Sequence, residues 1–296
     1  MNTKYIIIAL ITLLVIGGGA YWLLNTDSSV ETTAIDTMPV ESDGGIGDGA
    51  TPLDELVDEE VVDTMSFTSQ TVIGQSVNGA DITAYHFGTG SNEVLLIGGM
   101  HGSDAPNTSA LTNEFVAYFT ENEPAVPADM RITVIPTMNP DGLAAGGSTG
   151  RFNANNVDLN RNFGCDWAAT SMWRDKEVSG GSAPYSEPEA AALRDYVSEI
   201  NPTGAIVWFA AEGKVYPSAC ESVPSNEAVT LAATFANAAG YGVEAEFDAY
   251  QINGDMVNWL ADEGIPAISV LLTDRSGTEW NKNQAGVAAV LELLSN

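Results

Sequence analysis

Short apolar segments alternate with longer helical patterns from about residue 66 to the end of the chain. Nearly continuous apolar segments are typical of strands that are buried on both faces of a sheet. The strands are predicted at residues 82–87, 94–97, 132–135, 205–209 and 267–272, and the helices at residues 108–119, 187–200, 226–239, 256–263 and 285–294. The helix near residue 187 is expected to begin with Ser186 as its N-cap, because Pro188 suits the first turn. This alternation predicts an α/β fold, in which a single domain has a mixed, largely parallel twisted sheet with helices on both faces.

The first 24 residues predict a membrane anchor. An apolar run over residues 5–24 follows Lys4, and about 20 such residues can span a membrane. The positive-inside rule then places the N-terminus in the cytoplasm and the remainder outside. A cleaved signal peptide is the alternative, because residues 17–20 are small. We favour the uncleaved anchor, since Tyr21 and Trp22 continue the run, and we expect an extracytoplasmic protein in either case.

The next segment, residues 25–65, predicts an acidic flexible linker. It contains twelve acidic residues, no basic residue and several glycines. Such a composition is typical of an extended, self-repelling chain, although an acidic tail that binds a partner is an alternative. The whole chain has a net charge of −30, which excludes binding to nucleic acid through charge. Its two histidines and two cysteines also exclude a multi-histidine metal cage.

Two segments after predicted strands carry residues suited to chemistry. His101 and Asp104 follow the strand at 94–97 and a glycine turn, so the imidazole and the carboxylate can face one cation, although a structural histidine is the alternative. Further along, Arg151 and Arg161 lie among asparagines within residues 151–163. Guanidinium and amide donors suit a carboxylate, and the alternative is that they only hold a long loop.

These segments resemble the carboxypeptidase A-like family of zinc metallocarboxypeptidases over residues 66–295, so we expect 66–296 to be a carboxypeptidase-like domain. The motifs that carry the resemblance are residues 98–102 (Gly-Gly-Met-His-Gly), 139–142 (Asn-Pro-Asp-Gly), 151–163, 186–189 and 250–255. The resemblance implies removal of the C-terminal residue of a peptide. In that chemistry a zinc ion held by His, Glu and His activates water, and a separate Glu transfers protons.

The resemblance assigns a carboxylate clamp to residues that this chain retains. Arg151 is expected to face the scissile carbonyl. Asn160 and Arg161 are expected to hold the terminal carboxylate of the peptide, and Tyr250 to close over the site.

The implied metal site is incomplete in this chain. His101 matches the first ligand, whereas the second is Asp104, or Ala105 if the turn is aligned one residue later. The third ligand falls at Phe209 or Ala210, neither of which binds zinc.

Two further positions, Glu212 and Leu271, concern the third ligand and the general base. Glu212 is the nearby carboxylate that could substitute for the third ligand, and the general-base position is Leu271, which cannot accept a proton. The remaining histidine, His86, lies on an earlier strand and is expected to be structural. The resemblance thus implies zinc as the cofactor, at a site that this chain leaves incomplete.

Two cysteines in an exported domain favour a disulfide between Cys165 and Cys220, with two free thiols as the alternative. The resemblance places both segments beside the active-site cleft, so the bridge would tie the clamp loop to the neighbouring wall.

The hypothesis we favour is a membrane-anchored pseudoenzyme that recognises the C-terminal carboxylate of peptides, plausibly cell-wall peptides, with hydrolysis lost or weak. The first alternative is a working carboxypeptidase with an atypical zinc site at His101, Asp104 and Glu212. The second alternative is a non-catalytic adhesion or scaffold domain with an idle cleft.

Overall fold

The computed structural model describes residues 68–220 and 223–295, so the predicted anchor and acidic linker lie outside the described residues. Within them, the strands are β1 (Thr68–Gln75), β2 (Asp81–Phe87), β3 (Asn92–Ile97), β4 (Met130–Ile135), β5 (Thr170–Trp173), β6 (Lys176–Ser179), β7 (Gly204–Ala210), β8 (Lys214–Pro217), β9 (Gly242–Val243) and β10 (Ala267–Leu272). The α-helices are α1 (Pro106–Glu121), α2 (Pro140–Ala145), α3 (Pro188–Ile200), α4 (Asn226–Ala239), α5 (Met256–Asp262) and α6 (Trp280–Leu294). None of these described helices is long and apolar enough to cross a membrane.

The described strands form one eight-stranded mixed sheet in the order β1-β2-β4-β3-β7-β10-β8-β9, and β5 pairs with β6 in a separate hairpin. The four central strands β4, β3, β7 and β10 are parallel. The pairs β1/β2, β2/β4 and β10/β8 are antiparallel. The prediction of a mixed, largely parallel sheet is therefore confirmed.

Apolar side chains cover both faces of the sheet. One core is formed by α1, α4 and α6 through residues such as Phe115, Phe235 and Val287. On the other face, α3 and α5 contribute Leu193 and Trp259 to a second core. Because both faces are buried, the central strands are apolar at almost every position, which explains their continuous pattern in the sequence.

The predicted strands and helices all exist, with small shifts at their ends. One detail is wrong: Ser186 is not the N-cap of α3, because that position is Glu187. The Ser186 hydroxyl instead donates to the Glu187 carboxylate and accepts from Asn162. The last helix, α6, begins at Trp280, five residues earlier than predicted. The polar residue Asn283 near its start is buried and accepts a hydrogen bond of 2.8 Å from the Trp208 side chain.

The carboxyl ends of β3, β7 and β10 meet at one edge of the sheet, since these strands are parallel neighbours. His101 and Asp104 follow β3 and Glu212 follows β7, whereas Phe209 and Leu271 lie near the ends of β7 and β10. In sheets of this kind, ligands bind outside the carboxyl ends of the strands.

Candidate functional site

A cleft of about 370 Å³ lies at this edge of the sheet. It is lined by nine residues that the sequence assigned to the metal, clamp or base positions, namely His101, Arg151, Asn160, Arg161, Phe209, Ala210, Glu212, Tyr250 and Leu271. Asp104 lies behind this lining and contacts it through two arginines. The structure therefore brings the candidate residues together around one concave surface.

His101 is buried at the end of the turn that follows β3. The turn passes close to β4 through Gly99, which has a φ of 67° and where a Cβ would lie 2.7 Å from Thr137 Cα. The His101 Nε2 atom lies 3.6 Å from Asp158 Oδ1 and has no hydrogen-bond partner among the described residues. Burial, reinforced by the Arg151 charge, lowers the pKa of His101 to about 4, so the imidazole is neutral.

Arg151 and Asp158 form a buried ion pair beside His101. The Arg151 Nη2 and Nε atoms lie 2.7 Å and 2.9 Å from Asp158 Oδ2. Burial alone would raise the pKa of Asp158, but the Arg151 charge and the His101 ring hold it well below the usual range. The Arg151 guanidinium also stacks 4.3 Å from the centroid of the Trp173 ring. Arg151 is therefore a fixed, neutralised cation at the cleft wall.

Asp104 is shared between two arginines. Its Oδ2 atom lies 3.8 Å from Arg151 Nη1 and 3.8 Å from Arg275 Nε, and it accepts no hydrogen bond from a described residue. The carboxylate at the second ligand position therefore has positive charge on two sides.

Phe209 and Leu271 make the wall opposite His101 apolar. Phe209 lies near the end of β7, and its ring centroid is 5.5 Å from that of His101. Leu271 on β10 pairs in register with Phe209 and also lines the cleft. Hydrocarbon thus occupies the positions that the resemblance gives to the third ligand and to the general base.

Glu212 lines the cleft but has partners of its own. Its Oε2 atom accepts a hydrogen bond of 2.9 Å from the Tyr216 hydroxyl, and its Oε1 atom lies 3.9 Å from Lys214 Nζ. Within residues 68–220 and 223–295, no three His, Cys, Asp or Glu side chains are grouped so that they could hold a metal ion. The donors that are present do not fit a zinc ion. Asp104 lies between two arginines, and a hydrocarbon side chain lies beside His101 at the position that the resemblance gives to the third ligand.

Arg161 is the most deeply buried arginine of the cleft, with only 1% of its surface exposed. Its Nη1 atom donates to the Asn160 carbonyl at 2.7 Å, and its Nη2 atom donates to the Met172 carbonyl at 3.1 Å. The Nε atom has no partner in the described part of the chain, where Arg161 also forms no ion pair. The charges of Asp158 and Asp255 act on this guanidinium, but no described carboxylate pairs with it directly. Its unpaired N–H can therefore donate to an anion.

Two other clamp residues lie beside Arg161. The Asn160 side-chain oxygen accepts a hydrogen bond of 3.1 Å from the Met256 backbone N–H, which fixes the amide. The Tyr250 ring is half-buried, and its centroid lies 6.0 Å from Arg161 Cζ. The side chains that the resemblance gives to the carboxylate clamp are therefore neighbours in the structure, while their roles stay a prediction.

The structure adds Asp158, Asp255 and Arg275 to the site. Asp255 is the N-cap of α5, where its Oδ1 atom accepts from the Asn258 N–H at 3.0 Å, and its Oδ2 atom has no hydrogen-bond partner among the described residues. Burial raises the pKa of Asp255, against the opposing influences of the Asn258 N–H and the Arg161 charge. Asp158 stands inside the motif at 151–163 and could have been singled out there, whereas Arg275 has no local signal in the sequence.

A disulfide joins Cys165 and Cys220, with a Cα–Cα distance of 5.8 Å, as the sequence predicted. The Cys165 carbonyl accepts a hydrogen bond of 2.7 Å from the Gly254 N–H. The bridge therefore ties the segment after the clamp residues to the segment after β8.

Comparisons with known proteins agree with this geometry. The family model for zinc carboxypeptidases matches residues 57–293. Carboxypeptidase D of Anas platyrhynchos is 40% identical over 86 residues, which cover 25% of this chain and 6% of that protein. Murein peptide amidase A of Escherichia coli (strain K12) is 32% identical over 140 residues, which cover 44% of this chain and 54% of that protein. The chain thus spans about half the length of the amidase and only a small part of the carboxypeptidase.

Solved structures share the fold. Bovine thrombin-activatable fibrinolysis inhibitor, in complex with tick carboxypeptidase inhibitor, has a TM-score of 0.64 at 19% identity, over 77% of this chain and 88% of that one. Murein-tripeptide amidase MpaA from Escherichia coli O157 has a TM-score of 0.55 at 22% identity, over 76% and 91% of the two chains. These similarities show the fold, and the match of the family model shows that the chain belongs to the zinc carboxypeptidase family.

Proposed function

We propose that this domain binds the C-terminal carboxylate of peptides, including cell-wall peptides, and hydrolyses them weakly or not at all. The observation that carries the proposal is Arg161, a guanidinium buried in the cleft with an unpaired Nε atom and no ion-pair partner in the described part of the chain. Burying an unpaired polar group is costly, and a bound carboxylate would pair directly with the guanidinium and accept a hydrogen bond from the free N–H.

The neighbours of Arg161 support a carboxylate rather than a smaller anion. Asn160 is fixed by the Met256 N–H, and Tyr250 lies where its ring covers the guanidinium. The cleft of about 370 Å³ leaves room for the terminal residue of a peptide.

The opposite wall supports the loss of hydrolysis. A catalytic zinc site normally has three protein ligands and one open position, and Phe209 removes one ligand. A positioned general base contributes about 10²–10⁴-fold to such reactions, and Leu271 cannot act as one. Phe209 and Leu271 therefore leave the cleft without a metal ligand and a general base, which cleavage of the peptide bond requires. Asn160 and Arg161, which would bind the carboxylate, are retained.

The two relatives support the choice of ligand, since one is named a carboxypeptidase and the other a murein peptide amidase. The Cys165–Cys220 disulfide supports an oxidising compartment. With the apolar run at residues 5–24, it supports an extracytoplasmic domain that is anchored by an N-terminal helix, or secreted if that segment is cleaved.

Calorimetry with the full chain tests the proposal. Synthetic tripeptides and cell-wall stem peptides with a free C-terminal carboxylate are compared with the same peptides amidated at that end. We expect Arg161→Gln to weaken binding of the free acids by about 30-fold or more, because charged hydrogen bonds are lost. Arg194→Gln is the matched control, since Arg194 does not line the cleft and pairs with its neighbour Asp195. Equal binding of acids and amides would reject the proposal, and an absence of binding by all variants would favour an idle scaffold.

A further inference from the structure

Arg275 connects the two loops that a metal ion would connect. Its Nε atom lies 3.8 Å from Asp104 Oδ2, at the second ligand position. Its Nη2 atom donates a hydrogen bond of 3.3 Å to the carbonyl of Ala210, the residue after Phe209. One guanidinium therefore links the loop after β3 to the end of β7.

The loop that carries Arg275 is held in place. The Asp274 carboxylate accepts hydrogen bonds from the backbone N–H groups of Ser276 and Gly277, at 2.7 Å and 3.0 Å, which turn the chain directly after β10. The Asn107 side chain, at the start of α1, donates to the carbonyls of Asp274 and Gly277, both at 2.9 Å. Arg275 is thus fixed against the segment that contains Asp104.

The charges of this cluster balance without a metal ion. Asp104 and Asp158 each carry one negative charge, and Arg151 and Arg275 each carry one positive charge within 4 Å of them. His101 is neutral. A zinc ion at this place would leave two uncompensated positive charges in a mostly buried cluster, which is strongly unfavourable.

We infer that Arg275 is a built-in cation that takes the place of a metal ion, because it neutralises Asp104 and joins the two loops. This inference deepens the proposed function and rests on it, since a cleft that only binds peptides has no need of a metal. Restoring the missing ligands is then insufficient to restore zinc binding while Arg275 is present.

Zinc titration without peptide tests the inference. A full chain with Asp104→Glu and Phe209→His regains the three ligand types, and Arg275→Gln or Arg275→Lys is added to it. We expect Arg275→Gln to strengthen zinc binding by at least about tenfold relative to Arg275→Lys, because only the glutamine removes the charge. Equal zinc affinity of the two variants would overturn the inference. Because the probe is zinc alone, a failure to bind peptides would not affect this result.

A second measurement covers the case in which these variants fold poorly. In the otherwise unaltered chain, Arg275→Gln should lower the melting temperature because Asp104 loses a counter-ion. Asp104→Asn should then cause little further loss in the Arg275→Gln variant, although it destabilises the unaltered chain. Additive effects of the two substitutions would show that the residues are not coupled and would also overturn the inference.

Discussion

Phe209 and Leu271 are register partners on the adjacent parallel strands β7 and β10, and both line the cleft. The resemblance gives one position to a metal ligand and the other to the general base. Because the two side chains lie side by side, a single apolar wall replaces both groups. Arg161 lines the same cleft and keeps an unpaired guanidinium N–H. On the proposed function, the cleft retains groups that bind a carboxylate and lacks the groups that cleave the adjoining bond.

The approach of Gly254 to Arg161 gives a first prediction. Gly254 has a φ of 65°, and a Cβ there would lie 2.5 Å from the Arg161 carbonyl oxygen. Gly264 has a similar φ of 76°, but a Cβ there would have no heavy atom within 4 Å. Both alanine variants carry the cost of a left-handed backbone, about 1 kcal/mol, and only Gly254→Ala also displaces the Arg161 loop. Calorimetry should show that Gly254→Ala weakens peptide binding more than Gly264→Ala, and equal losses would contradict this.

The disulfide gives a second prediction. Cys165 and Cys220 are 55 residues apart, and the bridge restricts the unfolded chain across that loop. Replacing both cysteines with serine should lower the free energy of unfolding by about 4 kcal/mol on the chain-entropy model. Denaturant unfolding of the oxidised chain and the double variant measures the difference. Addition of a reductant should destabilise the unaltered chain alone; an equal effect on the double variant would contradict the assignment.

His101 gives a prediction about pH. The pKa of His101 is about 4 in the folded protein, below its ordinary value of 6.5, so the unfolded chain binds more protons between these values. Stability should therefore fall as the pH drops from 6.5 towards 4, by about 3 kcal/mol in total from this group. His101→Gln should show a smaller fall over the same window in denaturant unfolding. The same slope in both proteins would show that the buried imidazole does not titrate as described.

Phe209 also has a packing role that can be measured. Its ring is 7% exposed and lies against His101, so Phe209→Ala should cost about 3 kcal/mol of unfolding free energy through the cavity that it leaves. Phe247, a half-buried ring at the cleft edge, is the control, and its alanine variant should cost less. Denaturant unfolding measures both losses. A larger loss at Phe247 would contradict the burial of Phe209.

The central strands and the motif residues were predictable because their signals are local. Buried parallel strands are apolar throughout, and the motif at 151–163 carries Arg151, Asn160 and Arg161 within a few residues of one another. The hairpin β5–β6 escaped prediction because it is short and polar, without the apolar pattern of the central strands. Arg275 escaped for another reason: its partner Asp104 is far away in the sequence, and only the fold brings the two together.

The most direct test measures peptide binding and peptide cleavage in the same sample, first with added zinc and then with a chelator. Calorimetry follows binding of tripeptides with a free carboxylate, and mass spectrometry follows release of their C-terminal residue. The account predicts that binding is the same in both conditions and that little or no C-terminal residue is released. Efficient release that stops when the chelator is added would contradict it, and would instead identify a working carboxypeptidase.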